Sequence, residues 1–307
     1  MSPTISRVAV IGAGTIGASW AAYFLARGCE VNVTDPFREA DAIRRAVAGL
    51  WPVLERAGLS PGATLERLRV VADPGSAVRD VGFVQESGPE DEAAKIDLFE
   101  LLDAVAPDAT LIASSSSGLL MSRIQSRCKH PQRCVIGHPF NPPHLMPLVE
   151  VVGGDRTGEA AIAATIAFYR SIGKYPIHIR KEVRGHIANR LQAALWREAI
   201  HLMDSGVASV ADIDAAVAYG PGLRWAFMGP SLTFHLAGGE GGMQYFLDHL
   251  GDAVQSWFDD LGAPSLTPEI RKQLVDGVAA STGERSIGDL AKKRDAYLME
   301  VIKLLDR

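Results

Sequence analysis

A short apolar run, Arg7 to Ile11, leads directly into Gly12-Ala13-Gly14-Thr15-Ile16-Gly17, and the pattern from Thr15 to Arg27 reads as a helix. Few local sequences restrict a fold so strongly. Taken alone, three spaced glycines mark only a flexible turn. Between a strand and a helix each glycine serves a distinct purpose. Gly12 permits a tight turn, Gly14 lets backbone approach a pyrophosphate, and Gly17 allows close packing of the helix. A second apolar run, Glu30 to Thr34, ends at Asp35, eighteen residues past Gly17. A carboxylate there can accept hydrogen bonds from the adenosine ribose hydroxyls and repel a 2'-phosphate. The expected cofactor is therefore NAD, bound through Gly12, Gly14, Thr15, Ile16, Gly17 and Asp35. Arg38 reads as a solvated residue of the following turn; the competing reading sets it against a 2'-phosphate.

Beyond this βαβ opening, residues 38 to 70 carry helical patterning broken around Gly58 to Gly62. Strands are expected at Val70 to Ala72, Val81 to Gln85, Leu111 to Ser114, Cys134 to Gly137 and Leu148 to Val152. A helix from Glu159 to Ile172 and a strand from Lys174 to Ile179 close the first domain. Strands alternating with helices predict an α/β fold, a doubly wound, mostly parallel sheet of the Rossmann type. After residue 183 strand signals almost vanish. Helical patterns cover Gly185 to Ser205, Val210 to Ala218, Ser231 to Leu236, Gly242 to Leu261, Pro268 to Ala280 and Ile287 to Leu305. The expected division is residues 1–183, binding the dinucleotide, and residues 184–307, a smaller all-α domain for substrate binding and dimerisation.

The composition, 47% hydrophobic and 22% charged over 307 residues, suits a soluble globular chain, and a net charge of -5 gives no broad basic surface for nucleic acid. Cys29, Cys128 and Cys134 form no CxxC pair, which argues against zinc and for a reducing compartment. Met1-Ser2-Pro3-Thr4 leads into a strand without the basic and apolar regions of a signal peptide, and no apolar run approaches the roughly 18 residues of a membrane span. A cytoplasmic location is expected.

The segment Gly137-His138-Pro139-Phe140-Asn141-Pro142-Pro143, followed by Leu148-Val149-Glu150-Val151-Val152, sets an imidazole and a carboxylate twelve residues apart in apolar surroundings. Glu150 interrupts a strand pattern whose Leu148 and Val152 share its face. A buried carboxylate needs a partner, and a histidine is a natural one: the acid fixes the ring's tautomer and stabilises its protonated form. His138 is thus an oriented general base, and Asn141 in the same proline-fixed segment is placed with the substrate-binding residues. In alcohol oxidation such a base must start neutral, so activity is expected to rise through neutral pH.

These residues, with Asn189-Arg190-Leu191-Gln192 and Gly222-Leu223-Arg224-Trp225-Ala226-Phe227, resemble the 3-hydroxyacyl-CoA dehydrogenase superfamily over nearly the whole chain. The match is closest to its L-gulonate 3-dehydrogenase or lambda-crystallin branch, with carnitine dehydrogenase nearby. The resemblance implies that Ser117, twenty-one residues before His138, binds the reacting oxygen. It implies that Asn189 reaches the same oxygen from the second domain, and that Glu90 and Lys95 lie beside the cofactor; read on their own, these two are a helix-start acid and a solvated lysine. Ser115 falls where the family often has asparagine near the nicotinamide, and Gly118 replaces another common serine. The family uses its helical domain to form dimers, so a homodimer is expected.

Three features bear on substrate. Residues 36 to 69 contain six arginines and no lysine, and the segment is shorter than the lysine-rich hairpin of coenzyme A-using relatives, which argues for a free acid. Arg224 is absent from the usual acyl-CoA pattern, and its guanidinium could pair bidentately with a carboxylate while Trp225 and Phe227 wall the pocket; an interdomain or dimer salt bridge is the competing role. Trp196, Trp225, Phe227 and Tyr245 could contact a trimethylammonium group, but carnitine enzymes tend to carry an acid where Asn189 stands. The leading expectation is oxidation of a small L-3-hydroxy acid, such as L-gulonate or L-3-hydroxybutyrate, to the 3-oxo acid. L-3-hydroxyacyl-CoA and L-carnitine are the alternatives, and an NAD-binding protein without turnover, like the superfamily's lens crystallin, is the remote one.

Overall fold

The computed structural model describes residues 5–305. The expectation for Met1 to Thr4 falls outside the described residues.

Eight strands form one sheet in the order β3-β2-β1-β4-β5-β6-β7-β8: β1 (Arg7–Ile11), β2 (Glu30–Thr34), β3 (Leu68–Val70), β4 (Phe83–Glu86), β5 (Leu111–Ser114), β6 (Cys134–Pro139), β7 (Leu148–Gly153) and β8 (Tyr175–Ile179). From β3 across to β6 all neighbours are parallel; β7 runs antiparallel to β6, and β8 follows β7. The doubly wound reading holds, with this reversed pair at one edge. Strand periodicity sorts the cores. Val8 and Val10 of β1 enter one hydrophobic cluster with Val31, Val33 and Phe83, while Ala9 and Ile11 enter a second with Val84 and Ile112. Covering both faces requires helices on both, which is why β1 reads as an unbroken apolar run from Val8 to Ile11.

The helices of this sheet unit are α1 (Thr15–Ala26), α2 (Ala40–Ala57), α3 (Pro74–Val78), α4 (Glu92–Val105), α5 (Met121–Ile124) and α6 (Glu159–Ser171). Helix α1 is buried from Gly17 to Ala26, so it is apolar all round rather than striped. Its Trp20 and Phe24 stack at 5.1 Å, and across the same cluster Phe83 meets Phe168 at 4.3 Å. Each such ring contributes about 1.5–3 kcal/mol by burial. The third strand falls at Leu68–Val70 rather than Val70 to Ala72, because its register is set by pairing Val31 with Leu68 and Val33 with Val70.

Helix α7 (Ala188–Asp204) leads into α8 (Val210–Tyr219), α9 (Pro221–Trp225), α10 (Pro230–Ala237), α11 (Gly242–Asp260), α12 (Pro268–Thr282) and α13 (Ile287–Leu305). The expected start of α7 at Gly185 moves to Ala188 because Gly185 and His186 have φ of +77° and +51°. By its internal contacts the chain divides into two compact units after Asn189. The second unit buries little of itself: Ile200, Ile213, Phe246, Ile270 and Met299 are its buried large apolar side chains.

Candidate active site

The glycine turn has the geometry a dinucleotide needs. Gly12 has φ of +92°, and a Cβ there would sit 2.7 Å from the Ser87 carbonyl oxygen. At Gly17 a Cβ would fall 1.8 Å from the Gly12 carbonyl oxygen, so only glycine lets α1 start this close to β1. Around Gly14 the space is open. The first turn of α1, with Thr15 exposed and Ile16 half-buried, carries no acidic residue and no side-chain cap, leaving its N–H groups to an anion. Asp35 accepts from the Ala13 N–H at 2.7 Å and the Phe37 N–H at 2.8 Å, which fixes its carboxylate at the end of β2 with lone pairs remaining. Arg38 reaches to 3.9 Å from Asp35 and is nearly half exposed. The residues present fit a bound dinucleotide.

The antiparallel turn of the sheet builds the second part. Because β7 reverses against β6, His138 and Glu150 are direct cross-strand partners, and His138 Nδ1 lies 2.8 Å from Glu150 Oε2. Both are buried, at 4% and 0% exposure. Glu150 Oε1 accepts from the N–H groups of Ile187 and Ala188, each at 2.9 Å, where α7 begins. Burial alone would raise the Glu150 carboxyl, but the His138 bond and these two N–H groups more than reverse it, and it stays ionised below the ordinary carboxyl range. An ionised acceptor requires the proton on Nδ1, leaving Nε2 its lone pair. The pair is therefore built to accept a proton at one atom of His138.

The intervening loop is strapped down. Ser19 of α1 accepts from the His144 N–H at 2.8 Å. The buried Lys174 donates to the Pro143 and Met146 carbonyls, the latter at 3.0 Å, with its ammonium 3.6 Å from the Tyr23 ring centroid. Burial pushes Lys174 well below the ordinary lysine range, and Arg27 adds to that shift. Asn141 lies in this loop and is exposed.

A third group organises the ends of β4 and β5. Glu90 gathers the serine loop on one oxygen, accepting the Ser116 hydroxyl at 2.7 Å and the N–H groups of Ser117 and Gly118 at 3.0 and 2.9 Å. Lys95 is not solvated: it is buried, and its ammonium lies 2.6 Å from Glu86 Oε1, whose other oxygen takes the Ser114 hydroxyl at 2.6 Å. Ser115 receives a bond from Gln85 Nε2 at 2.8 Å, and Gln85 Oε1 takes the Tyr169 hydroxyl at 2.6 Å. Ser117 is exposed.

His138, Glu150, Ser115, Ser117, Glu90 and the glycine turn thus share the carboxyl ends of β1, β4, β5 and β6, where open α/β sheets bind ligands. Asn189 stands in the first turn of α7, half-buried, as the last residue of the first unit. Arg224 and Trp225 belong to the second unit on α9, a short helix that sequence periodicity did not reveal. Sequence reasoning also missed His186, Gln85, Glu86 and Tyr169. The polar pair Gln85-Glu86 within an otherwise apolar strand was a local signal for two of them; Tyr169 and His186 had none.

A dinucleotide turn beside a buried imidazole–carboxylate pair defines an NAD-dependent oxidoreductase acting on a CH–OH group. The NAD-binding domain of 3-hydroxyacyl-CoA dehydrogenase matches residues 7–183 and the C-terminal domain of 3-hydroxyacyl-CoA dehydrogenase matches residues 185–277, and the chain belongs to that family. It is 51% identical over 304 residues to an L-carnitine dehydrogenase of Streptomyces coelicolor, covering 99% of this chain and 96% of that one. With the L-carnitine dehydrogenase of Pseudomonas aeruginosa it shares 48% over 299 residues, 97% and 93% of the two chains. Among solved structures, 5-formyl-3-hydroxy-2-methylpyridine 4-carboxylic acid 5-dehydrogenase, an NAD-dependent dismutase, superposes with a TM-score of 0.83 at 29% identity over 98% and 99% of the chains.

Proposed function

We propose that the protein oxidises the 3-hydroxyl of L-carnitine, a small L-3-hydroxy acid, to the 3-oxo acid with NAD. The chemistry rests on the buried His138–Glu150 pair. The substrate rests on end-to-end identity with enzymes named L-carnitine dehydrogenase, which moves carnitine ahead of L-gulonate and L-3-hydroxybutyrate.

His138 Nε2 takes the hydroxyl proton while Glu150 holds Nδ1 and balances the imidazolium that forms. NAD, when bound, supplies the hydride acceptor. The Ser117 hydroxyl and Asn189 amide bind the reacting oxygen, where charge develops. Arg224 pairs with the substrate carboxylate, and Trp225 offers a ring face to the trimethylammonium group. In reduction the same imidazolium returns the proton. The resemblance itself carries a second reading, a hydroxy acid without the trimethylammonium group, because the resembled carnitine enzymes tend to carry an acid where Asn189 stands.

Three buried, free cysteines suit a reducing, cytoplasmic setting. Among the described residues no helix is long and apolar enough to cross a membrane.

The test is NADH formation with NAD on L-carnitine, L-gulonate, L-3-hydroxybutyrate and L-3-hydroxybutyryl-CoA, with His138→Ala as control. Efficient turnover of carnitine, abolished in the variant, supports the proposal. Preference for a hydroxy acid without the trimethylammonium group moves the assignment to the second reading. Turnover of the thioester alone restores coenzyme A chemistry, and NAD binding without any turnover points to a structural role.

A further inference from the structure

We propose that His186 is a positioning residue for the His138–Glu150 pair: its ring ties the serine loop to the turn whose N–H groups hold Glu150. The inference rests on the reading of that pair as the proton-accepting unit.

His186 is the sole non-glycine residue with positive φ among the described residues, at +51°. L residues adopt that conformation rarely, and glycine or asparagine would fit it more easily. A histidine held there is explained by what its ring does. The ring is buried, with 2% exposure, and its Nε2 lies 2.9 Å from the Ser116 carbonyl oxygen. A carbonyl only accepts, so Nε2 carries the proton and Nδ1 is bare; Nδ1 has no partner among the described residues. The ring lies 4.9 Å from that of His138, centroid to centroid. The two residues that follow His186 donate their N–H groups to Glu150, and Ser116 in turn bonds Glu90. One side chain therefore joins the oxygen-binding loop to the carboxylate that orients the base.

The charged and titratable groups facing this ring are His138, Glu150 and Glu90. Burial pushes His186 below the ordinary histidine range, as does His138, against the opposing pull of the Ser116 carbonyl and the two carboxylates. Two adjacent imidazolium rings would repel each other. A neutral His186 leaves His138 free to become the charged one when it takes the proton.

Two measurements on the full-length protein test this, one needing no substrate. Ring-nitrogen NMR should show His186 still mainly as the neutral Nε2–H tautomer at about pH 6.5, where an ordinary histidine is half protonated. It should also show a low-field His138 Nδ1 proton that shifts or broadens in His186→Phe and His186→Asn but not in His186→Gln. Phenylalanine keeps a ring without a donor; asparagine accepts the left-handed backbone but is too short for Ser116; glutamine restores an N–H. On the substrate that the wild type turns over, the first two variants should lose kcat by roughly 10- to 100-fold with a smaller change in KM, as misplacement of about 1 Å produces, and glutamine should recover most of it. An Nδ1–H tautomer, or a His138 proton unchanged in all three variants, overturns the proposal even if no substrate is found. Wild-type turnover by the phenylalanine variant overturns it too.

Discussion

Glu150 keeps a negative charge inside the protein because three donors meet it: the His138 ring and the Ile187 and Ala188 N–H groups. Removing the charge while keeping the shape is the direct test, and Glu150→Gln should lower kcat by about 10²–10⁴-fold, the range for general acid–base catalysis, with NAD affinity nearly unchanged. Its depressed carboxyl also makes a stability statement. A group held below its unfolded value stabilises the fold at all pH above that value, about 4.3 for glutamate, and the stabilisation is lost as pH falls through the lower folded value. Urea denaturation should therefore show wild-type stability dropping below about pH 4.3 more steeply than that of Glu150→Gln; parallel curves would refute this. Gly137 sets a second residue-scale limit. A Cβ there would fall 2.1 Å from the Tyr169 hydroxyl, which is bound to Gln85. Gly137→Ala should destabilise by about 1–3 kcal/mol, the usual range for overpacking, and the chemical denaturation midpoint reports it.

At the scale of elements, the loop from Asn141 to Pro147 has little regular structure and is held by what lies beneath it. Lys174 is the principal tie, donating to two loop carbonyls from a buried position. Lys174→Met keeps the apolar stem on Trp20 and Tyr23 but leaves those carbonyls unpaired, at about 1–3 kcal/mol for a buried group. We expect a lower Tm by calorimetry, and protease cleavage appearing first in this loop; cleavage elsewhere would place the weak point outside it. Helix α1 depends on Gly17 in the same way, since its Cβ would collide with the Gly12 carbonyl. Gly17→Ala should abolish NAD binding in calorimetric titration while leaving the helical content of the second unit intact.

For the molecule as a whole, the second unit has more apolar surface than it can cover. Leu191, Trp196, Trp257 and Phe258 are 60%, 53%, 63% and 60% exposed, while its own helices bury scarcely one large apolar side chain each. Our proposal for this surface is a homodimer, since large exposed apolar side chains are what an interaction site offers. Sedimentation equilibrium at micromolar concentration should give about twice 32.9 kDa; a mass near that of one chain would refute it.

Much of this was legible in the residues themselves. The glycine turn, Asp35 and the paired periodicities announced a dinucleotide fold followed by helices, because each is a local pattern whose spacing matches one backbone geometry. The His138–Glu150 pairing was legible for the same reason: an acid on the buried face of a strand needs a partner, and a histidine stood twelve residues away. Other contacts had no such signal. A period of two is common to parallel and antiparallel strands, so the reversal of β7 that sets Glu150 opposite His138 was decided by tertiary pairing. Tyr169 on Gln85 and His186 on Ser116 join residues 84 and 70 apart, and only the closed sheet brings them together. Local sequence dictates which backbone an element takes; which distant donor meets which buried acceptor is settled when the layers pack and water leaves.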